Sequence, residues 1–302
     1  MGNTDERSTR EFFEKNGYAV FRGAIPQHEI DHLLGEKIKG DLVDYDGKLE
    51  RDSGVWEFHK FSRLASGQYY LVNSLSNAHL ITKSSELYNF RAAVRRVYFH
   101  SAVADCLQIL DGETHHICNG GAVFFNSPAS EPHIDAWHTN TSPWGHAKTV
   151  WIPLEDLGPE TGSPFAVPWP LGRLLSAADL GIELPPITPD AAWDEWFPIA
   201  YRRYQQALHR LLLSSSAPVA SAMLRRGDVM IWSTLTPHGS LPPFGERRTR
   251  FSMMANFRPA SMNWGRFIFM AGEPPFGPEP RREVRITDAF SLGLNPDQSW
   301  EE

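Results

Sequence analysis

His133 and Asp135, in the stretch Glu131-Pro-His-Ile-Asp-Ala-Trp-His138, put an imidazole and a carboxylate two residues apart. Residues i and i+2 of an extended strand face one side, so the two groups converge and supply two legs of a two-His-one-carboxylate metal site. The pair alone is a weak signal, because chance gives about 0.6 His-x-Asp pairs in a chain of this His and Asp content. A second stretch strengthens it. In Arg226-Gly-Asp-Val-Met-Ile-Trp-Ser-Thr-Leu-Thr-Pro-His238, a turn at Gly227-Asp228 feeds a strand that ends at His238, and a Pro/Gly-rich hairpin then leads to a strand beginning at Arg250. An antiparallel partner strand can set a third ligand, His238, opposite the first two, with a guanidinium one strand away. Such a set of groups can bind a transition metal such as iron with a dicarboxylate beside it.

The elements that must position these groups are mostly short strands. The chain contains 23 Gly and 23 Pro, which punctuate β-branched and aromatic runs at 122–125, 149–152, 165–167, 229–232 and 251–257, a pattern of strands joined by turns. Helical signals lie in the first third. Ser8-Thr9 caps a helix over 10–16 that Gly17 stops, and 18–22 reads as a strand. Pro26 opens a second helix with Ile30, Leu33, Leu34 and Ile38 on one face, and Val94, Val97 and Val103 mark a third over 87–110. An insertion, 171–223, begins Pro-rich and turns helical over 193–213. Its Trp193, Trp196, Phe197, Tyr201 and Tyr204 recur at helical spacing, which suits packing onto the sheet and, as a second reading, a lid over a pocket. No composition break marks a second domain, so one domain over 1–302 is expected, with a Pro- and charge-rich tail over 273–302.

Composition narrows the function. Of 302 residues 41% are hydrophobic and 12% aromatic, enough for a sizeable core and against global disorder. With 29 Lys+Arg against 36 Asp+Glu the formal net charge is -7, which gives no electrostatic footprint for nucleic acid or an anionic membrane. Cys106 and Cys118 have neither disulfide-framework nor metal spacing and read as buried small hydrophobes in a reducing compartment. The charged start lacks the apolar stretch of a signal peptide, and no run of about 18 apolar residues follows. The expectation is a cytoplasmic protein with a small-molecule partner and no nucleic-acid or membrane partner; the oligomeric state stays open.

Four ordered stretches resemble the phytanoyl-CoA dioxygenase-like (PhyH-like) branch of the Fe(II)/2-oxoglutarate oxygenases, over about residues 11–260. Phe12-Phe-Glu-Lys-Asn-Gly-Tyr-Ala-Val-Phe-Arg-Gly-Ala-Ile-Pro26 resembles that family's opening helix and first strand, and His133-Ile-Asp135 its proximal ligand pair. Trp151-Ile-Pro-Leu-Glu-Asp-Leu-Gly-Pro-Glu-Thr-Gly-Ser-Pro-Phe-Ala-Val-Pro168 resembles its strand, acidic turn and return, and Gly227-Asp228 through His238-Gly-Ser240 to Arg250 its distal-His motif. One departure is Trp169-Pro170-Leu171, where the family usually has Gly-Ser-His.

The resemblance implies a double-stranded β-helix, a cupin-like jelly-roll that is mainly β with flanking helices. It implies His133, Asp135 and His238 as the iron ligands and Arg250 as the partner of the distal 2-oxoglutarate carboxylate, with Arg248 the competing assignment. Ser240 and Thr149 offer hydroxyls to the co-substrate, Asn126 lies on a strand leading toward the site, and Trp137 and His138 fall on the substrate side. The implied cofactor set is Fe(II), 2-oxoglutarate and O2. The implied reaction converts 2-oxoglutarate to succinate while an unactivated C–H bond is oxidised, hydroxylation being the default. Halogenating members have a small residue where this chain has Asp135, so halogenation is not expected.

Two other readings fit parts of the chain. A cupin-like binding or sensing protein has no need to keep three ligands and an arginine together, and this chain keeps all four. Metal-dependent hydrolysis needs a general base beside the water and no dicarboxylate anchor, which Arg250 argues against. Segments 46–80, 136–146 and 171–223 are expected to shape the substrate pocket. Their Trp, Tyr and Phe suit a bulky, largely apolar small molecule such as a natural-product intermediate, and the lack of a Lys/Arg cluster speaks against a CoA handle.

Overall fold

The computed structural model describes residues 3–39, 88–126, 130–137, 139–142, 144–158, 160–185, 193–216, 218–221, 223–242 and 250–265, with short strands between 48 and 76. His138, Arg248, most of 46–80 and the tail 273–302 lie outside the described residues. The helices are α1 (Asn3–Asn16), α2 (Gln27–Lys39), α3 (Tyr88–Tyr98), α4 (Ser101–Asp111) and α5 (Trp193–Ser214). The strands that form the two main sheets are, in chain order, β1 (Tyr18–Phe21), β2 (Asn73–Ser76), β3 (His116–Asn126), β4 (Ser130–His133), β5 (Lys148–Pro153), β6 (Pro164–Ala166), β7 (Ala220–Ser221), β8 (Val229–Ser233), β9 (His238–Ser240) and β10 (Ser252–Pro259). One antiparallel sheet has the order β1-β8-β5-β10-β3-β2, the other β7-β6-β9-β4. Among the described residues no helix is long and apolar enough to cross a membrane.

Strand alternation decides which face each side chain joins. Val229 and Ile231 of β8, Val150 and Ile152 of β5, and Met253, Ala255 and Phe257 of β10 share one core with Phe13, Ile30, Leu33, Val97 and Leu107 of the helices. The residues between them, Met230 and Trp232 of β8, Trp151 of β5 and Met254 of β10, turn to the other face and pack with Leu157, Ala166 and Leu224. Helices therefore cover one face of the large sheet, and β6 lies against the other. A third cluster joins Ile134, Ala136 and Trp137 to Trp196, Ala200, Tyr204 and Leu208 of α5.

Two helical expectations change. α1 starts at Asn3, with Asp5 and Glu6 in the first turn where carboxylates complement the helix N-terminus. The Ser8 and Thr9 hydroxyls bond back to the Asp5 carbonyl at 2.9 and 2.8 Å inside the helix instead of capping it. The helix expected over 87–110 is two helices, because His100 takes the extended values φ -63° and ψ 139° and its imidazole accepts the Ala102 N–H at 3.1 Å, capping α4. At the end of α3 the Tyr98 hydroxyl lies 3.0 Å from the Ala122 carbonyl and 2.7 Å from that of Met254, tying the helix to β3 and β10. Gly121 makes room for it, since a Cβ there would sit 2.8 Å from the Tyr98 hydroxyl.

On the helix-covered face, Lys148 is buried with Nζ 2.5 Å from Asp111 Oδ2, and His116 Nε2 lies 2.9 Å from the same oxygen. Burial opposes the charged carboxyl, but His116 and Lys148 outweigh it and hold Asp111 well below the usual carboxylate range. A depressed pKa contributes stability that is present above the ordinary carboxylate value and lost as pH falls through the folded one. Asp111→Asn should cost roughly 3 kcal/mol at neutral pH by leaving the Lys148 ammonium without its counter-charge. Thermal melts of variant and wild type should draw together as pH falls below about 4. A gap unchanged down to about pH 2 would show that this ion pair is not what the substitution removes.

Candidate metal centre

His133 ends β4 and pairs in register with His238, which begins β9. Their rings lie 4.3 Å apart at 53°. The chain then leaves the strand: Ile134 is fully buried, and Asp135 opens a short 3-10 turn, Asp135–Trp137, anchored by the Ala136 N–H on the Thr234 carbonyl at 2.9 Å. Asp135 thus reaches the histidines from a turn rather than from the strand that the His-x-Asp spacing predicts.

Each histidine uses Nδ1 on backbone, His133 to the Glu131 carbonyl at 2.8 Å and His238 to the Thr236 carbonyl at 2.9 Å. With Nδ1–H donating there, each Nε2 presents its lone pair to the centre. Asp135 Oδ1 lies 3.7 Å from His133 Nε2 and 3.4 Å from His238 Nε2. Two donors bound at about 2.1 Å to one ion and about 90–120° apart are themselves roughly 3.0–3.6 Å apart, so the spacing suits a shared metal. All three donor atoms fall within 4.8 Å of one another. Two neutral imidazoles and one carboxylate are the donor set of a non-haem Fe(II) facial triad, and the residues fit that ion.

The other carboxylate oxygen is held from behind. Oδ2 of Asp135 accepts the Thr149 hydroxyl at 2.5 Å and the Trp232 indole N–H at 3.0 Å. Thr149 Oγ1 is also 2.8 Å from the Asn256 amide, whose far end contacts Thr139 Oγ1 at 3.3 Å. The atom facing Thr149 is Asn256 Oδ1, so the one hydroxyl proton is shared between Asp135 and Asn256, while Asn256 Nδ2 donates to Thr139. Burial disfavours the charged form of Asp135, yet in the metal-free site His238 and His133, where their Nε2 carries a proton, and the Thr149 hydroxyl more than offset it and keep the carboxyl far below its ordinary range. The side chains are 23% exposed at His133, 14% at Asp135 and 6% at His238, so the centre is approached from the His133 side.

Two residues beyond His238 on β9, Ser240 Oγ meets Arg250 NH2 at 3.1 Å and Ser130 Oγ at 2.9 Å. Arg250 is 2% exposed. Burial lowers its pKa to about 10 against the opposing pull of Glu155, which leaves it a cation at neutral pH.

Of the residues singled out from sequence, His133, Asp135 and His238 meet at one point, and Ser240 and Arg250 meet beside them. Thr149 is elsewhere engaged: its hydroxyl serves Asp135 rather than lying open to a co-substrate. Asn126 closes β3, in register with Asn73 of β2. Trp137 is 2% exposed, its ring enclosed by Trp196, Phe197, Tyr201 and Tyr204 of α5 at centroid distances of 5.2 to 6.3 Å. Sequence reasoning missed Trp232, Asn256 and Ser130. The signal for Trp232 was its parity on β8, two residues from Met230 on the face away from Val229 and Ile231, since a buried indole N–H needs an acceptor.

No family model matches the chain, and no curated protein matches it in sequence. Solved structures share its fold. The epimerase SnoN from nogalamycin biosynthesis, in complex with Fe3+, alpha ketoglutarate and nogalamycin RO, is 20% identical over 93% of this chain and 95% of that one, with TM-score 0.59. The alpha ketoglutarate dependent carbocyclase SnoK, from the same biosynthesis, is 14% identical over 90% and 93%, TM-score 0.54. EctD from S. alaskensis with bound Fe is 14% identical over 91% and 82%, TM-score 0.55.

If Thr149 and Trp232 hold Asp135 in place, Thr149→Val and Trp232→Phe should each weaken divalent-metal binding about 10- to 100-fold, while Thr149→Ser stays near wild type. Anaerobic titration with Fe(II) or Co(II) measures this. Equal affinity in all four proteins would remove both residues from the support of the carboxylate.

Proposed function

We propose that this protein is an Fe(II)- and 2-oxoglutarate-dependent oxygenase that oxidises a C–H bond of a small organic molecule, on a double-stranded β-helix of the PhyH-like type. The observation that carries the reading is the pairing of two sites along β9: the donor set His133, Asp135 and His238, and two residues on, the contact of part-buried Ser240 with buried Arg250. The first suits a metal that needs open coordination positions, the second a carboxylate. Fold neighbours crystallised with iron and alpha ketoglutarate support the same assignment.

In this reading, bound Fe(II) would supply, with 2-oxoglutarate and O2, the oxidising power that yields succinate, CO2 and an oxidised substrate. The chain supplies the rest. His133 and His238 would hold the metal, their tautomers set by the Glu131 and Thr236 carbonyls. Asp135 would be the third ligand, its Oδ2 held by Thr149 and Trp232. Arg250 and Ser240 receive the distal carboxylate of the co-substrate, and the burial of Arg250 limits the water that would screen the pair. As a ligand, Asp135 would take the coordination position that a halide needs, so this reading is of carbon oxidation without halogenation.

We read the product as a hydroxylated molecule, the default outcome of this chemistry, and the substrate as a natural-product intermediate; the fold neighbours from nogalamycin biosynthesis, an epimerase and a carbocyclase, support the second part only. The insertion 171–223 falls to substrate selection in this reading, because α5 packs against β4 beside His133. Phe197 and Tyr201 stack at 5.5 Å and 8° on its part-buried side. Burial and the nearby charges of Asp135 and Glu131 raise the Tyr201 phenol to about 12, so it stays protonated at neutral pH.

His133→Ala, Asp135→Ala and His238→Ala should each abolish Fe(II)-dependent release of succinate from 2-oxoglutarate while leaving the circular-dichroism spectrum unchanged. Arg250→Ala should raise the 2-oxoglutarate requirement tens- to thousands-fold, the loss of about 2–5 kcal/mol expected for a buried charge-assisted pair. Arg248→Ala should be far milder. Wild-type turnover in any of the three ligand variants at limiting iron would strike that residue from the set, and the reverse order of the two arginines would move the anchor.

A further inference from the structure

Arg250 is gripped before any ligand arrives. Its NH1 donates to the Gly162 carbonyl at 2.8 Å and to the Leu241 carbonyl at 3.4 Å, while NH2 reaches Ser240 Oγ at 3.1 Å. Gly162 and Leu241 belong to segments far apart in sequence, and two carbonyls on one nitrogen fix the plane of the guanidinium. The seam between those segments is closed further by the Leu241 N–H on the Ser163 carbonyl at 3.0 Å.

Gly162 is what lets the seam close. Its φ is +70°, where a side chain is strained, and a Cβ there would lie 2.3 Å from the Leu241 carbonyl oxygen and 2.9 Å from the Pro242 carbonyl carbon. Both are backbone atoms of the segment leaving β9, the strand of His238 and Ser240, and cannot swing aside as a flexible side chain can. The turn before Gly162 is self-tied: Thr161 Oγ1 donates to the Gly158 carbonyl at 2.9 Å and accepts the Gly158 N–H at 3.2 Å, and Thr161 is buried.

We propose that Gly162 is a positioning residue for the co-substrate: by bringing the 158–162 turn against the exit of β9 it sets the plane of the Arg250 guanidinium, and so gives the site its preference for a 2-oxo acid bearing a second carboxylate. The proposal rests on the oxygenase reading above. It assigns Gly162 no contact with the co-substrate; it acts through Arg250.

The test compares two acids that chelate a metal through the same 2-oxo-acid end, 2-oxoglutarate and 2-oxobutyrate, the second lacking the distal carboxylate. Each is titrated anaerobically into the Fe(II)-loaded full chain, following the visible charge-transfer absorption of the chelate. Wild type should prefer 2-oxoglutarate. Gly162→Ala should lose about tenfold or more in 2-oxoglutarate affinity with little change for 2-oxobutyrate or for Fe(II). Gly23→Ala, at φ +58° with nothing among the described residues within 4 Å of the added Cβ, bears similar backbone strain without the collision and should keep the preference. Should Gly162→Ala fail to fold, Thr161→Val loosens the turn without a clash and should lower the preference, which Thr161→Ser should retain. An equal loss for both acids, or a preference unchanged in the Gly162 and Thr161 variants, overturns the role of Gly162 while leaving the oxygenase reading intact. A wild type that binds both acids alike overturns the dicarboxylate reading of Arg250, and this proposal with it.

Discussion

One carboxylate joins the two sheets at the centre of this molecule. Asp135 turns Oδ1 to His133 and His238, which belong to the four-stranded sheet, and Oδ2 to Thr149 and Trp232, which belong to the six-stranded one. Placing a charged group between sheets is expensive unless its oxygens are satisfied. Two donors from one sheet satisfy Oδ2, Oδ1 faces two imidazoles of the other with which it could share a cation, and the requirement constrains every element nearby. β8 must present Trp232 inward, β5 must present Thr149 in the register that pairs it with Asn256 and Trp232, and β4 must end at His133 so that the chain can turn back.

That constraint explains the division of labour between the two faces of the large sheet. Thr149 and Trp232 face the carboxylate, so their neighbours Lys148, Val150 and Ile231 must face the helices. Aliphatic residues there join the main core, whereas Lys148 cannot, and Asp111 and His116 are present to receive it. A polar residue at an outward-facing register position thus forces a second buried ion pair on the far side of the same strand. The end of α4 is fixed by that ion pair as much as by Gly112, whose left-handed backbone closes the helix.

The chemistry-bearing residues were legible because their types are rare in apolar runs and their spacings repeat a physical motif. His-x-Asp and a distal His before a Pro/Gly hairpin are visible without knowing any contact, and so is an arginine opening an apolar strand. Strand positions at 149–152 and 229–232 were legible for the same reason, β-branched and aromatic residues bounded by turns. Less visible was what stands behind the ligands. Thr149 was noticed as a hydroxyl near the site, but whether it faces a co-substrate or a carboxylate depends on the fold of the turn at Asp135, which the strand reading of His-x-Asp did not contain. Trp232 looked like one more apolar strand residue, since its N–H acquires a role only once an acceptor is brought to it. The break at His100 was hidden because valines at helical spacing run through both α3 and α4, and a histidine seldom announces itself as a cap. Local pattern reports propensity, whereas second partners are set by contacts between distant segments.

The charges of the two proposed ligands complement each other. Asp135 contributes one negative charge and Arg250 one positive, with the Glu155 carboxylate a further negative charge acting on the arginine. A divalent cation would add two positive charges and 2-oxoglutarate two negative ones, so loading both leaves the net charge of the region as it was. Loading only one would shift it by two in a low-dielectric region where such a change is costly. Metal and co-substrate should therefore favour each other's binding through the field alone, before any direct chelation is counted. The arginine suits this arrangement better than a lysine would. A buried ammonium sheds its proton far more readily, whereas Arg250, even with its pKa lowered to about 10, keeps the charge that a distal carboxylate would need.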